Sequence, residues 1–137
     1  MTRYVIDAAA AIEIARADRP LDGAHSLVAP SLLRSQVLST LYRAVRSDQL
    51  SRQEGQLLLN RVTELKIRLL GDRVSRGTAW KIAEELGFDD TADAEYLAVT
   101  RLQADALIAL DPQLAERARG TVPLASIHEL YAHRATR

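Results

Sequence analysis

The segment RYVIDAAAAIEIARA, residues 3–17, decides the fold. Its first part, 3–7, is an apolar run that ends in Asp7 and is typical of a short buried strand. The alanine-rich stretch 8–17 follows at once and predicts a helix packed close to its neighbours. A strand that passes directly into a helix is the repeating unit of parallel α/β folds.

The rest of the chain continues this alternation. Short apolar runs predict strands, and helical spacing between cap signals predicts helices. Further strands are expected at 26–29, 67–70, 106–110 and 122–124. Helices are expected at 31–46, from Ser51, at 78–86, after Thr91, at 113–118 and at 127–133. Pro30 and Pro112 are expected to open two of these helices, Ser51 and Glu54 to form a capping box, Trp80 to face inward and Gly87 to be a C-cap. The pattern predicts one α/β domain, 1–137, with three layers: a short, mainly parallel sheet and helices on both faces.

Composition limits the classes of protein open to this chain. Its 137 residues are 47% hydrophobic and 26% charged, with 18 basic and 18 acidic side chains. This balance argues against a non-specific nucleic-acid coat protein but allows a local basic groove. The absence of cysteine excludes Cys-based metal sites and favours a cytoplasmic location. No apolar run reaches membrane-spanning length, so no membrane partner is expected.

Three aspartates stand where a metal-dependent nuclease would need them. Asp7 and Asp111 each end an apolar run, and Asp93 lies in the opening turn of a helix between them. Because ligands of open parallel sheets collect beyond the carboxyl ends of the strands, these carboxylates are expected to meet there and hold a hard divalent cation. Each also has a structural explanation, since aspartate is favoured at N-caps and in the first turn of helices.

The basic side chains of the middle third are mostly arginine. Arginine binds phosphate through two parallel hydrogen bonds, which lysine cannot do. Solvated helix faces explain these residues equally well. They are Arg43, Arg46, Arg52, Arg61, Arg68, Arg73 and Arg76.

Four segments carry a family resemblance through their order and spacing. They are VIDAAAAIE at 5–13, APSLLRSQVLSTL at 29–41, TADAEYLAVT at 91–100 and ADALIALDPQL at 104–114. Together they resemble the PIN-domain family, and within it the VapC-type toxins of bacterial toxin–antitoxin pairs. The resemblance covers nearly the whole chain, although no single segment is specific alone.

The resemblance implies a PIN-like fold in which four acidic residues bind Mg²⁺ or Mn²⁺ and an RNA phosphodiester is cleaved. Carried over to this chain, Asp7, Asp93 and Asp111 match the first, third and fourth acidic positions and would be metal ligands. The second position, normally glutamate, holds Gln36. The resemblance also implies an RNA substrate, a cognate VapB-like antitoxin that blocks the site, and a homodimer.

Gln36 is the departure with the largest chemical consequence. A glutamine carbonyl can ligate a metal, but it lacks formal charge and cannot act as general base. Weak metal binding and slow turnover are therefore expected. Ala9, Ala92 and Ala109 are smaller departures from the family pattern. An engineered inactivating change and natural divergence would both explain Gln36.

Other functions compete with the nuclease interpretation. A phosphotransferase of the haloacid-dehalogenase type would need a second aspartate where Ala9 stands. A nucleotide-binding fold would need a glycine-rich or Walker phosphate loop, and the chain contains neither. A catalytically impaired PIN-like protein that binds an antitoxin or RNA stays open, with a docking groove expected around Leu33, Val37, Leu41 and 57–65.

Overall fold

The computed structural model describes residues 1–131. Within this part of the chain, four of the five predicted strands are present, and one or two helices separate each strand from the next. In chain order the elements are β1 (Thr2–Ile6), α1 (Ala8–Ala17), β2 (His25–Pro30), α2 (Leu33–Arg46), α3 (Arg52–Glu64), β3 (Ile67–Leu70), α4 (Arg73–Leu86), α5 (Ala92–Gln103), β4 (Ala106–Ile108), α6 (Pro112–Ala118) and a 3₁₀ turn (Ile127–Leu130).

The four strands form one all-parallel sheet in the order β3-β2-β1-β4. Strand β1 lies inside the sheet, where Val5 is in register with Val28 of β2 on one side and Leu107 of β4 on the other. All three side chains are buried, as expected for a parallel sheet covered on both faces. Because the strands run the same way, the residues that follow β1, β2 and β4 emerge at one edge.

Two groups of helices flank the sheet. Helices α1, α2 and α3 pack against one another, whereas α4 packs along α5, which contacts β1, β2 and β4. The expected α/β class, with a short parallel sheet and helices on both faces, is therefore confirmed.

Helix α3 begins at the expected cap and approaches α2 closely. Ser51 Oγ accepts the Glu54 N–H at 3.1 Å, and the Glu54 carboxylate accepts the Ser51 N–H at 2.9 Å. A Cβ at Gly55 would lie 2.6 Å from Val45 Cγ2 of α2. The separation of the two helices at this point therefore depends on glycine.

Helix α4 is longer than expected and turns its tryptophan outward. It begins at Arg73 because the Asp72 carboxylate accepts the Ser75 N–H at 2.8 Å in a capping box that was not anticipated. The buried stripe of α4 contains Ala79 instead of its neighbour Trp80, which is 64% exposed. The prediction that Trp80 faces the core is wrong, whereas the expected C-cap of the helix, with positive φ, is confirmed.

Pro30 ends a strand instead of opening a helix. It is the last residue of β2 and lies in register with Leu70 of β3, and α2 begins only at residue 33. Proline cannot donate a ladder hydrogen bond, which makes the end of a strand a suitable place for it. The helical stripe of Leu33, Val37 and Leu41 is buried in the core. These three residues therefore cannot line an open docking groove, and that part of the expectation is wrong.

The strand expected at 122–124 is reduced to one parallel bridge between Leu107 and Leu124. Leu107 N–H donates to Pro123 O at 2.9 Å, and Ala125 N–H donates to Leu107 O at 2.9 Å. Pro123 has no N–H of its own, so the ladder does not continue past these bonds.

Two more elements are shorter than expected. Strand β4 ends at Ile108 instead of residue 110, and the helix expected at 127–133 is a 3₁₀ turn at Ile127–Leu130. Residues 132 and 133 lie outside the described part of the chain. Among the helices of residues 1–131, none has the length and apolar character needed to cross a membrane.

Candidate functional site

A cleft of about 720 Å³ opens at the carboxyl edge of the sheet. The four positions expected at the site come from four different places: the residue after β1, helix α2, the first turn of α5 and the loop after β4. All four, Asp7, Gln36, Asp93 and Asp111, line this cleft. The other charged residues that line it are Arg43, Asp89, Asp90 and Arg117.

Asp7 is a buried carboxylate that links two segments. Its side chain caps α1, because Oδ1 accepts the Ala10 N–H at 2.8 Å. Its Oδ2 accepts the N–H of Asp111 at 2.9 Å, so it also ties the end of β1 to the loop after β4. Burial raises the pKa of Asp7, although these backbone N–H groups oppose the rise.

Asp111 lines the cleft and caps the next helix. Its Oδ2 accepts the Leu114 N–H at 3.0 Å, and Pro112 occupies the first position of α6. The side chain is exposed, in contrast to that of Asp7. Capping therefore accounts for part of the role of both aspartates, and each carboxylate still has unfilled acceptor positions.

Asp93 forms an ion pair inside the cleft. Its Oδ2 lies 2.9 Å from Arg117 Nη1. Burial raises the pKa of the Asp93 carboxyl, the Arg117 guanidinium lowers it, and the carboxylates of Asp111 and Asp90 add to the rise. The carboxylate that the family resemblance predicts to be a metal ligand is thus paired with an arginine of the same chain.

Gln36 is held by a tyrosine from α5. The Tyr96 hydroxyl donates to Gln36 Oε1 at 2.6 Å. Tyr96 is 1% exposed, and burial together with the nearby Asp7 and Asp93 carboxylates raises the pKa of its hydroxyl. The hydroxyl therefore remains protonated, and Gln36 Oε1 accepts its hydrogen.

The residues of the cleft suit a divalent ion in chemistry but not in their present arrangement. Carboxylate oxygens are the ligands that Mg²⁺ and Mn²⁺ prefer. Within residues 1–131, however, no three His, Cys, Asp or Glu side chains stand close enough together to hold an ion. Asp93 instead pairs with Arg117. A cation would have to rearrange this pair in order to use all three aspartates.

Sequence reasoning missed Arg117 altogether. No local pattern indicates its role, because it lies 24 residues from its partner Asp93. The role of Tyr96 could have been found, since it follows Asp93 by three positions and so shares its helix face. Of the seven arginines in the middle third, all within the described residues, only Arg43 lines the cleft.

The arrangement defines the class of the protein as an α/β domain with a parallel sheet and an acidic cleft at its carboxyl edge. No protein-family model and no curated protein matches the chain. Its fold is similar to that in the "Crystal structure of PAE2754 from Pyrobaculum aerophilum", with a TM-score of 0.66 and 18% sequence identity. The match covers 93% of this chain and 92% of that one. At this identity the likeness shows the fold alone.

Proposed function

We propose that this chain is a divalent-cation-dependent endoribonuclease of the PIN type, similar to the VapC toxins, with activity weakened by Gln36. One observation supports this more than any other. Asp7, Asp93 and Asp111, which the resemblance assigns to the metal, come from separate segments and line one cleft together with Gln36.

The residues of the cleft would have different roles in the proposed reaction. Asp7, Asp93 and Asp111 would hold Mg²⁺ or Mn²⁺, which when bound lowers the pKa of water and neutralises charge on the phosphate. Arg43, whose Nη1 donates to Ser39 Oγ at 3.0 Å on α2, is available for an RNA phosphate. Gln36 can orient a polar group but cannot take a proton from it.

The partners in this proposal follow from the resemblance. They are an RNA substrate, a VapB-like antitoxin and a second copy of the chain, in the cytoplasm. An exposed apolar pair on α2 supports a protein partner, since Leu38 and Tyr42 are 55% and 63% exposed and lie four residues apart on one helix face. Ser39, which lies between them in sequence, lines the cleft.

The proposal is tested by separating metal binding from helix capping. Asp111 and Asp72 are both exposed aspartates that cap helices, but only Asp111 lines the cleft. We expect Asp111→Asn to lower Mn²⁺-dependent RNA cleavage by on the order of 10²-fold, in line with the loss of a charged group at a catalytic site. Asp72→Asn should leave the cleavage rate unchanged. Equal rates in wild type and Asp111→Asn would reject the proposed site.

A second candidate is a catalytically impaired PIN-like protein that acts by binding an antitoxin or RNA. The observation that favours it is the pairing within the cleft: Arg117 neutralises Asp93, and the Tyr96 hydroxyl is satisfied by Gln36. Such a cleft needs no ion for its stability. Tight RNA binding without cleavage in Mn²⁺, unaltered by Asp111→Asn, would favour this second function.

A further inference from the structure

Arg117 neutralises a carboxylate at which a divalent ion would bind. Its Nη1 lies 2.9 Å from Asp93 Oδ2, and the side chains of Arg117 and Asp93 are only 29% and 15% exposed. Ion pairs that are shielded from water interact more strongly than pairs on the surface. A cation that approaches Asp93 therefore meets a fixed positive charge before it meets a free carboxylate.

The fold places Arg117 in this position through a second contact. Its guanidinium carbon lies 4.2 Å from the centre of the Phe88 ring, within the range of cation–π attraction. Phe88 is itself positioned at the end of α4, where its N–H donates to Ala83 O at 2.9 Å. The guanidinium is thus held between the first turn of α5 and the loop that precedes it.

The Arg117–Asp93 ion pair lowers the negative charge that the cleft offers to a divalent ion. At the four positions that the resemblance assigns to the site, two features weaken attraction for a divalent ion: the neutral amide of Gln36 and the positive charge of Arg117 beside Asp93. They act at different carboxylate positions, because Gln36 contacts Tyr96 whereas Arg117 contacts Asp93. Their effects on metal affinity should therefore be separable by mutation.

We propose that Arg117 is a built-in competitor of the metal, so that a divalent ion binds the cleft only when the guanidinium leaves Asp93. The inference rests on the proposed metal site and adds the residue that controls its occupancy. A purely structural arginine would tie α6 to α5 without affecting the ion. A competing arginine weakens Mn²⁺ binding, and its removal strengthens that binding.

The test compares Mn²⁺ affinity, measured by calorimetry and by the Mn²⁺-dependent rise in Tm, among variants of the full chain. Arg117→Gln removes the charge, and Arg117→Met also removes it but keeps an unbranched stem against the Phe88 ring. Arg43→Gln is the matched control, since it removes the same charge from the same cleft without touching Asp93. We expect both Arg117 variants to bind Mn²⁺ about tenfold more tightly than wild type, or about 1.4 kcal/mol. The control should change affinity by much less.

The outcomes separate this inference from the proposed function. Equal Mn²⁺ affinity in wild type and the Arg117 variants would overturn the competition and leave the metal site intact. An equal gain in Mn²⁺ affinity in Arg43→Gln would show that any positive charge in the cleft weakens binding, and would also overturn the competition. If Mn²⁺ binds none of these proteins, the metal site itself is refuted, and the competition with it.

A measurement on the unaltered protein covers the case in which the variants do not fold. In an NMR titration of the wild-type chain with Mg²⁺, the Nε–H signal of Arg117 should move as the guanidinium leaves Asp93. A signal that stays in place when Mg²⁺ saturates the cleft would contradict the proposal.

Discussion

Gln36→Glu adds one carboxylate to a cleft that five aspartates and two arginines line. Gln36 Oε1 already accepts the Tyr96 hydroxyl at 2.6 Å. A carboxylate oxygen at that place would keep the hydrogen bond and strengthen it, since charge-assisted bonds are roughly twice as strong as neutral ones. Repulsion from Asp7 and Asp93 opposes this gain. Without metal, the free energy of unfolding should therefore change by no more than about 1 kcal/mol.

In the presence of Mn²⁺ the two proteins should differ clearly. A fourth charged ligand should tighten Mn²⁺ binding by about 10–100-fold, or about 1.4–2.7 kcal/mol. At saturating Mn²⁺ this difference adds to the free energy of unfolding and should raise Tm by about 4–10 °C for a domain of this size. The rate of RNA cleavage should rise by on the order of 10²–10³-fold.

The assay for this prediction has a control within the same cleft. Gln113 also lines the cleft, on α6, so Gln113→Glu adds the same charge at a position that the family pattern does not assign to the metal. Calorimetry with Mn²⁺ and an RNA cleavage time course should show a large gain for Gln36→Glu and a small one for Gln113→Glu. If the Gln36→Glu variant binds Mn²⁺ no more tightly than wild type or than Gln113→Glu, position 36 is not a metal-ligand position.

Three further predictions concern stability. Tyr96→Phe should lower the free energy of unfolding in urea by about 0.5–1.5 kcal/mol, because it removes the hydroxyl that donates to Gln36; an unchanged urea midpoint would contradict this. Gly55→Ala should destabilise the chain by about 1 kcal/mol, because the contact of its Cβ with Val45 Cγ2 outweighs the better helix propensity of alanine; a rise in Tm would contradict it. Burial raises the pKa of Asp7, so as pH falls the folded state takes up a proton before the unfolded chain does. The contribution of Asp7 to stability therefore increases as pH falls from the raised pKa toward the ordinary pKa of aspartate. Protonation also removes the negative charge of the Asp7 carboxylate, so the Mn²⁺-dependent rise in Tm should become smaller over that pH range. If the Mn²⁺-dependent rise in Tm persisted down to the ordinary pKa of aspartate, that result would argue against Asp7 as a ligand.

The sheet could be predicted from the sequence because its signals are local. The alanine-rich stretch after Asp7 predicts α1 with both of its boundaries, and the apolar run before it predicts β1 to within one residue at each end. The capping box at Ser51 likewise fixes the start of α3. Other local signals are ambiguous or lie outside the apolar pattern. Pro30 suits a strand end as well as a helix start, and the capping box at Asp72 begins α4 five residues before Thr78.

The candidate site was only partly predictable. Strand ends gave the positions of Asp7 and Asp111, since parallel strands deliver their carboxyl ends to one edge. Two side-chain contacts in the cleft join residues far apart in sequence: Tyr96 with Gln36, 60 residues apart, and Arg117 with Asp93, 24 residues apart. Such pairs depend on how α2, α5 and α6 pack, and no spacing in one sequence encodes that packing.

The decisive observation is the position of Mn²⁺ in a crystal grown with the ion, located by its anomalous scattering. We expect a peak in the cleft in direct contact with carboxylate oxygens of Asp7, Asp93 and Asp111, with the Arg117 guanidinium displaced from Asp93. Peaks confined to other parts of the molecule, with the Arg117–Asp93 pair intact at high Mn²⁺ concentration, would contradict a metal-dependent site.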